Sequence, residues 1–163
     1  MKIKTALILC AGFGKRVQPI TDSLPKPLIV YKNETLLENT INFLVKLKIE
    51  KIKINVFYLK EKITDFINKK KFPINIEIVD DGEIILGTGG GTLSLINKVN
   101  EDDVLVINPD TIWDDSYIKS IDAMVKIYFE RQMKNILLIV NNSTCFDKRF
   151  NGDFEIKNNI LLK

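Results

Sequence analysis

The chain has 163 residues, 45% of them hydrophobic, enough for one domain with a substantial core and short for two. Its 24 basic and 21 acidic residues leave a net charge of only +3, and the lysines are dispersed apart from Lys69-Lys70-Lys71, which reads as a solvated helix end, so the charge pattern argues against nucleic acid as a partner. There is no histidine, which excludes Ser-His and Cys-His nucleophile systems and histidine metal sites and leaves carboxylates, cations, amides and a bound metal to carry any chemistry.

The first predicted strand runs from Ile3 to Cys10. Lys2 and Lys4 precede only a strand-length apolar run, so neither a signal peptide nor a membrane span is predicted, and a soluble, cytoplasmic protein is expected. Cys10 and Cys145 lie far apart, the pattern of reduced cytosolic thiols. The strand gives way to Ala11-Gly12-Phe13-Gly14-Lys15-Arg16. Two glycines let backbone N–H groups approach an anion closely, while Lys15 and Arg16 supply charge and a planar donor fork. The segment therefore reads as a polyphosphate cradle. It is neither of two common ones: a dinucleotide fingerprint needs a glycine where Val17 stands, and a P-loop needs a glycine at Leu9 and Ser or Thr at Arg16. A second cation, Lys26, is held between Pro25 and Pro27 on a stiff, extended segment.

Apolar residues at helical spacing predict a helix from Thr35 to Leu47, with Asn33 as its N-cap. Ile52, Ile54 and Val56 alternate with polar residues as a second strand; Lys60 to Lys70 carries Ile63, Phe66 and Ile67 on one helical face and is closed by Pro73. Ile74, Ile76 and Ile78 mark a third strand, followed by an exposed acidic turn at Asp80-Asp81-Gly82-Glu83. In Leu86-Gly87-Thr88-Gly89-Gly90-Gly91-Thr92, four glycines in five positions would be costly inside a regular element. That predicts a loop feeding a helix, either a flexible connector or a close approach to something flat or anionic. Val104 to Ile107 is a buried strand ending in Asn108-Pro109-Asp110. A carboxylate just past such a strand lies where open α/β sheets bind ligands, so Asp110 is either a metal ligand or a turn aspartate. Asp114 and Asp115 are assigned no metal. A helix from Ser116 to Arg131, a buried strand from Ile136 to Val140 and a hairpin from Phe154 to Leu162 across Asn158-Asn159 complete the pattern. Strands alternating with helices imply a mostly parallel sheet.

The whole string from Leu7 to Leu28 resembles the signature of the sugar-1-phosphate nucleotidyltransferases: an apolar strand, A-G-x-G-x-R, P-x-T and P-K-P-L. Here those are Ala11, Gly12, Gly14, Arg16, Pro19, Thr21 and Pro25-Lys26-Pro27-Leu28. The resemblance covers essentially the whole chain and implies a single domain over 1–163 with a Rossmann-like three-layer α/β sandwich around a mostly parallel sheet, the nucleotide-diphospho-sugar transferase fold. It implies transfer of a nucleoside monophosphate from UTP or GTP to a sugar 1-phosphate, releasing pyrophosphate. The stretch from Lys134 to Ile156 is most similar to the branch acting on N-acetylmuramate or mannose 1-phosphates. By the same resemblance, Leu9, Ala11, Gly12, Phe13, Gly14, Lys15 and Arg16 would hold the nucleotide from one side, and Gly87, Thr88, Gly89 and Gly90 would lie against base and ribose. Arg16, Lys26 and Asp110 would be catalytic, and Asp110 would bind Mg2+. The usual N-G-D of the family reads Asn108-Pro109-Asp110 here, and the second metal-binding aspartate that relatives carry in a longer C-terminal part has no match. A C-terminally truncated domain, lacking part of the sugar pocket, is therefore expected. The alternative is a nucleotide-binding module of the same fold that has lost catalysis. The sequence leaves the base, the sugar and the oligomeric state open.

Overall fold

The strand Thr5–Leu9 (β1) lies at the centre of a four-stranded parallel sheet, between Lys51–Val56 (β4) on one edge and Val104–Ile107 (β6) on the other. Asn75–Asp80 (β5) flanks β4, giving the order β5-β4-β1-β6. The computed structural model describes residues 3–141, 143, 152, 154–157 and 160–162. Successive β1 side chains point to opposite faces. Ala6 and Ile8 join Leu37, Ile41 and Leu44 of Leu36–Lys46 (α1), Ile63 and Ile67 of Lys60–Lys70 (α2), and Ile121 and Val125 of Ser116–Glu130 (α4) in one core. Leu7 joins Val79 and Leu95 of Gly87–Ile96 (α3) on the other face. This is the expected three-layer sandwich. Coverage is uneven, because α3 shields β1 and β4 but leaves Val106 of β6 41% exposed.

From β1 the chain builds outward to β4 and β5, then returns to the opposite edge of β1 as β6. The strand order thus reverses between β1 and β6, and at such a point the connections leaving two neighbouring strands diverge and open a crevice at their C-terminal ends.

Three predicted elements differ. Asn33 does not cap α1. Lys32 and Asn33, both at positive φ (47° and 72°), form the two-residue turn of a small hairpin joining Val30–Tyr31 (β2) to Glu34–Thr35 (β3). The cap is Thr35, whose Oγ1 accepts from the N–H of Glu38 at 3.1 Å. The glycine run is not a loop: Gly87, Gly89, Gly90 and Gly91 all lie inside α3. Glycine costs about 1 kcal/mol per helical position relative to alanine, and close packing explains two of these positions. A Cβ on Gly90 would meet the Leu86 side chain at 2.9 Å, and one on Gly91 would meet Asn55 Nδ2 at 2.6 Å. Finally, Ile136 to Val140 forms no strand and is not buried, with Leu137 60% and Val140 63% exposed. An apolar run states a preference for burial, but a strand also needs a neighbour for its ladder, and no described residue supplies one. The C-terminal hairpin is present as Glu155–Lys157 (β7) against Ile160–Leu162 (β8), while Asn158-Asn159 and Cys145 lie outside the described residues.

Two predictions follow from these contacts. Thr35→Ala should cost about 1 kcal/mol in chemical denaturation, the usual value of an N-cap, whereas Asn33→Gly, at a left-handed position, should be nearly neutral. Lys51 and then Thr5 hydrogen-bond Glu101, each at 3.0 Å, and hold its carboxyl below the ordinary value of 4.5. A depressed folded-state value stabilises fully above 4.5, and the contribution disappears as pH falls through the folded value. Acid titration of stability should therefore be shallower in Glu101→Gln than in the parent chain.

Candidate functional site

The loop leaving β1 is shaped by its glycines and by a threonine beneath them. Gly14 has φ 67°, and a Cβ there would lie 2.9 Å from Thr21 Cγ2, so the left-handed turn and the close packing both require glycine. Buried Thr21 donates from Oγ1 to the Gly14 carbonyl at 3.0 Å, and Val17 N–H donates to the same carbonyl at 2.9 Å. Tyr58 Oη in turn donates to the Thr21 carbonyl at 2.9 Å, and the Phe13 ring packs edge-on to Phe57 and tilted against Tyr58. The P-x-T element seen in the sequence is thus the floor of the loop. Short 3-10 turns at Lys15–Val17, Ile20–Asp22 and Lys26–Leu28 wrap the segment back across the sheet end. The Gln18–Pro19 peptide is cis.

The facing wall comes from the loop after β6. Trp113 stacks on Phe43 of α1 at 5.3 Å between centroids. Its backbone N–H donates to Asn39 Oδ1 at 2.8 Å, and its Nε1 donates to the Asn108 carbonyl at 3.3 Å. These contacts tie Asn108-Pro109-Asp110 to α1. Asp114 and Asp115 are engaged elsewhere, Asp114 with Ser116 and Asp115 with Lys46.

Between the two walls lies a cavity of about 460 Å³. Of the residues expected to form a site, it is lined by Leu9, Gly12, Phe13, Gly14, Lys15, Arg16, Lys26, Thr88 and Asp110. Ala11 is buried behind this lining, and Gly87, Gly89 and Gly90 do not contribute to it. The glycine run therefore reaches the cavity through Thr88 alone. Cys10, Val17, Pro27, Asn108 and Pro109 also line it. Pro27, Asn108 and Pro109 belong to the two motifs that carry Lys26 and Asp110, while for Cys10 and Val17 adjacency to a predicted site residue was the signal in the sequence.

Charge is arranged unevenly. Lys26 Nζ lies 2.6 Å from Asp110 Oδ2, forming an ion pair across the cavity between residues 84 positions apart. Lys15 Nζ lies 5.4 Å from the Phe13 ring centroid. Arg16 is exposed and has no hydrogen bond or ion pair among the described residues. Burial, and secondarily the charge of Asp110, push the Cys10 thiol far above its ordinary range, so it is neither thiolate nor nucleophile at neutral pH.

No group of three or more Cys, Asp or Glu side chains that could hold a metal occurs among the described residues, and Asp110 is the one carboxylate lining the cavity. That donor set fits a hard cation that keeps several waters and takes further oxygens from a bound phosphate, the habit of magnesium; it does not fit an all-protein metal cage.

Residues 5–146 match the sequence pattern of the family described as Nucleotidyl transferase. The chain is 40% identical over 117 residues to the bifunctional protein GlmU of Methanococcus maripaludis, covering 72% of this chain and 27% of that protein. It is 26% identical over 153 residues to the N-acetylmuramate alpha-1-phosphate uridylyltransferase of Caulobacter vibrioides, covering 92% and 63%. In structure it resembles a UDP-glucose pyrophosphorylase from Acinetobacter baumannii with a TM-score of 0.68 and 24% identity, over 80% of this chain and 54% of that one. The chain thus spans from about a quarter to under two thirds of the length of these proteins.

The two loop glycines should separate in experiment. Gly14→Ala forces an L side chain into a left-handed conformation and should lower stability by about 1–3 kcal/mol. A Cβ on Gly12 meets nothing within 4 Å. Gly12→Ala should therefore leave stability within about 0.5 kcal/mol, yet weaken triphosphate binding if the loop is the phosphate cradle that its sequence predicts, because the methyl would project into the open space beside the backbone. Denaturation and calorimetry on the two variants check both halves.

Proposed function

Because the chain belongs to the nucleotidyl transferase family, we propose that it transfers a nucleoside monophosphate from UTP or GTP to a sugar 1-phosphate, releasing pyrophosphate. The observation that carries this reading is a single cavity at the strand-order reversal, lined by a glycine cradle, three cations and one carboxylate.

The chemistry asks little of the protein beyond alignment and charge. A phosphate oxygen of the sugar 1-phosphate attacks the α-phosphorus in line; it is already anionic at neutral pH, so no general base is needed, which agrees with a chain that has no histidine. The backbone N–H groups of the Ala11–Gly14 loop and the Arg16 guanidinium would grip the triphosphate. Lys26 would stabilise the charge that builds around the α-phosphate in the transition state. To do so it must exchange Asp110 for a phosphate oxygen, and the 27% and 37% side-chain exposure of this pair makes the exchange inexpensive. Asp110, released from Lys26, would hold magnesium, which neutralises phosphate charge and favours departure of pyrophosphate when bound. Thr88, on the α3 side, would face the nucleoside.

Pyrophosphate release should be measured with UTP and GTP across glucose, mannose, N-acetylglucosamine and N-acetylmuramate 1-phosphates. Turnover with one pair supports the proposal. Binding of a triphosphate without turnover would instead mark a nucleotide-binding module of this fold, and absence of triphosphate binding would sink both readings. Lys26→Ala should lower kcat by about 10²–10³-fold, as loss of one donor to a developing charge does. Arg16→Ala should raise the triphosphate Kd by about tenfold or more, the value of a charge-assisted contact. Equal, small effects of the two substitutions would contradict the division of roles.

A further inference from the structure

Asn55 is 2% exposed next to the C-terminal end of β4, and both ends of its amide are committed. Oδ1 accepts from the backbone N–H of Cys10 at 2.9 Å, the residue that opens the cradle loop. Nδ2 donates to Asp81 Oδ2 at 2.7 Å, just beyond β5. Because an N–H needs an acceptor and a carboxylate needs a donor, only one orientation of the amide serves both partners. The same nitrogen lies against Gly91 of α3, where a Cβ would approach to 2.6 Å. One side chain therefore touches the cradle loop, the acidic turn and the glycine-rich start of α3.

Asp81 raises the stakes. Its Oδ1 is buried without a hydrogen-bond partner among the described residues, so Asn55 supplies the one hydrogen bond recorded for that carboxylate. Removing it would leave a part-buried carboxylate, one of its oxygens fully buried, without that hydrogen bond.

We propose that Asn55 is a positioning residue: it sets the separation between the cradle loop and the start of α3, and so the fit of a nucleoside triphosphate spanning them. The inference rests on the nucleotidyltransferase reading above. A purely structural asparagine would affect stability alone, whereas a spacer affects ligands that touch both walls more than ligands gripped by one.

The test uses three probes: magnesium-UTP, magnesium-GTP and magnesium tripolyphosphate, with affinities from calorimetry and folding checked by circular dichroism. Asn55→Asp keeps the acceptor for Cys10 but loses the donor to Asp81. It should weaken nucleotide binding by about 10- to 100-fold, the loss expected when one buried partner is removed, and weaken tripolyphosphate binding much less. Adding Asp81→Asn reverses the polarity of the bond, since the new amide at 81 can donate to the new carboxylate at 55, and should restore nucleotide affinity to within about threefold, a residue of well under 1 kcal/mol. Gly91→Ala, which retains Asn55 but presses a methyl on its nitrogen, supplies the same comparison if Asn55→Asp fails to fold. Ile63→Val, a core change in α2 at a residue that does not line the cavity, should lower stability without changing any affinity. Nucleotide affinities of folded Asn55→Asp and Gly91→Ala equal to those of the parent chain, or a double variant no better than Asn55→Asp, would overturn the proposal while leaving the proposed function standing. A parent chain that binds none of the three probes would overturn both.

Discussion

The position of β1 constrains everything at the C-terminal end of the sheet. It is paired on both edges and covered on both faces, with Ala6, Leu7 and Ile8 fully buried. A slip of one residue would turn Leu7 toward the α1–α2–α4 core and Ala6 and Ile8 toward α3, so its register is strongly specified. The chain consequently emerges at Cys10 at a fixed point, next to the equally fixed end of β6. The cradle loop needs only local devices from there on: a left-handed glycine, a threonine beneath it and a tyrosine beneath the threonine. The opposite wall is fixed separately, through Trp113 and α1. The cavity is thus the gap between two independently anchored loops, which lets a ligand fill it without rebuilding the core.

Electrostatics complete the arrangement. Lys15, Arg16 and Lys26 face Asp110 around the cavity, three cations against one carboxylate. The Lys26–Asp110 pair would lessen the carboxylate's repulsion toward an incoming anion while keeping the lysine at the cavity wall. A partly exposed ion pair of this kind is worth about 1 kcal/mol. A multiply charged ligand easily offsets that cost, so the pair holds both side chains in place without locking them.

Much of this was readable from the residues. The period of apolar positions located β1, α1, β4, α2, β5, β6 and α4, and Gly12, Gly14, Arg16, Lys26 and Asp110, singled out by their spacing, line one cavity. What escaped depends on contacts that spacing does not encode. Asn33 and Thr35 are both good caps in isolation; the positive φ of Lys32 and Asn33 assigns Asn33 to a hairpin turn and leaves Thr35 to cap. Glycine count suggested a loop at 87–91, but it is the approach of Leu86 and Asn55 that makes glycine compatible with helix there. The family to which the chain belongs was legible from the motif string and agrees with the match over residues 5–146.

Asn55 shows most clearly why local reading stops short. In Lys51-Ile52-Lys53-Ile54-Asn55-Val56, alternation assigns Asn55 to the same face as Lys51 and Lys53, and a polar residue there reads as solvent-facing. Lys53 keeps to that expectation in part, reaching out to Glu77 on the neighbouring strand. Two residues further along, the face is covered by α3, and Asn55 is buried. Whether a polar side chain on this face is solvated or becomes an internal brace is decided by the path of a helix more than thirty positions later in the chain. That helix, in turn, can come so close only because Gly91 has no side chain. The asparagine and the glycine therefore explain one another, and neither can be interpreted from its own neighbourhood in the sequence.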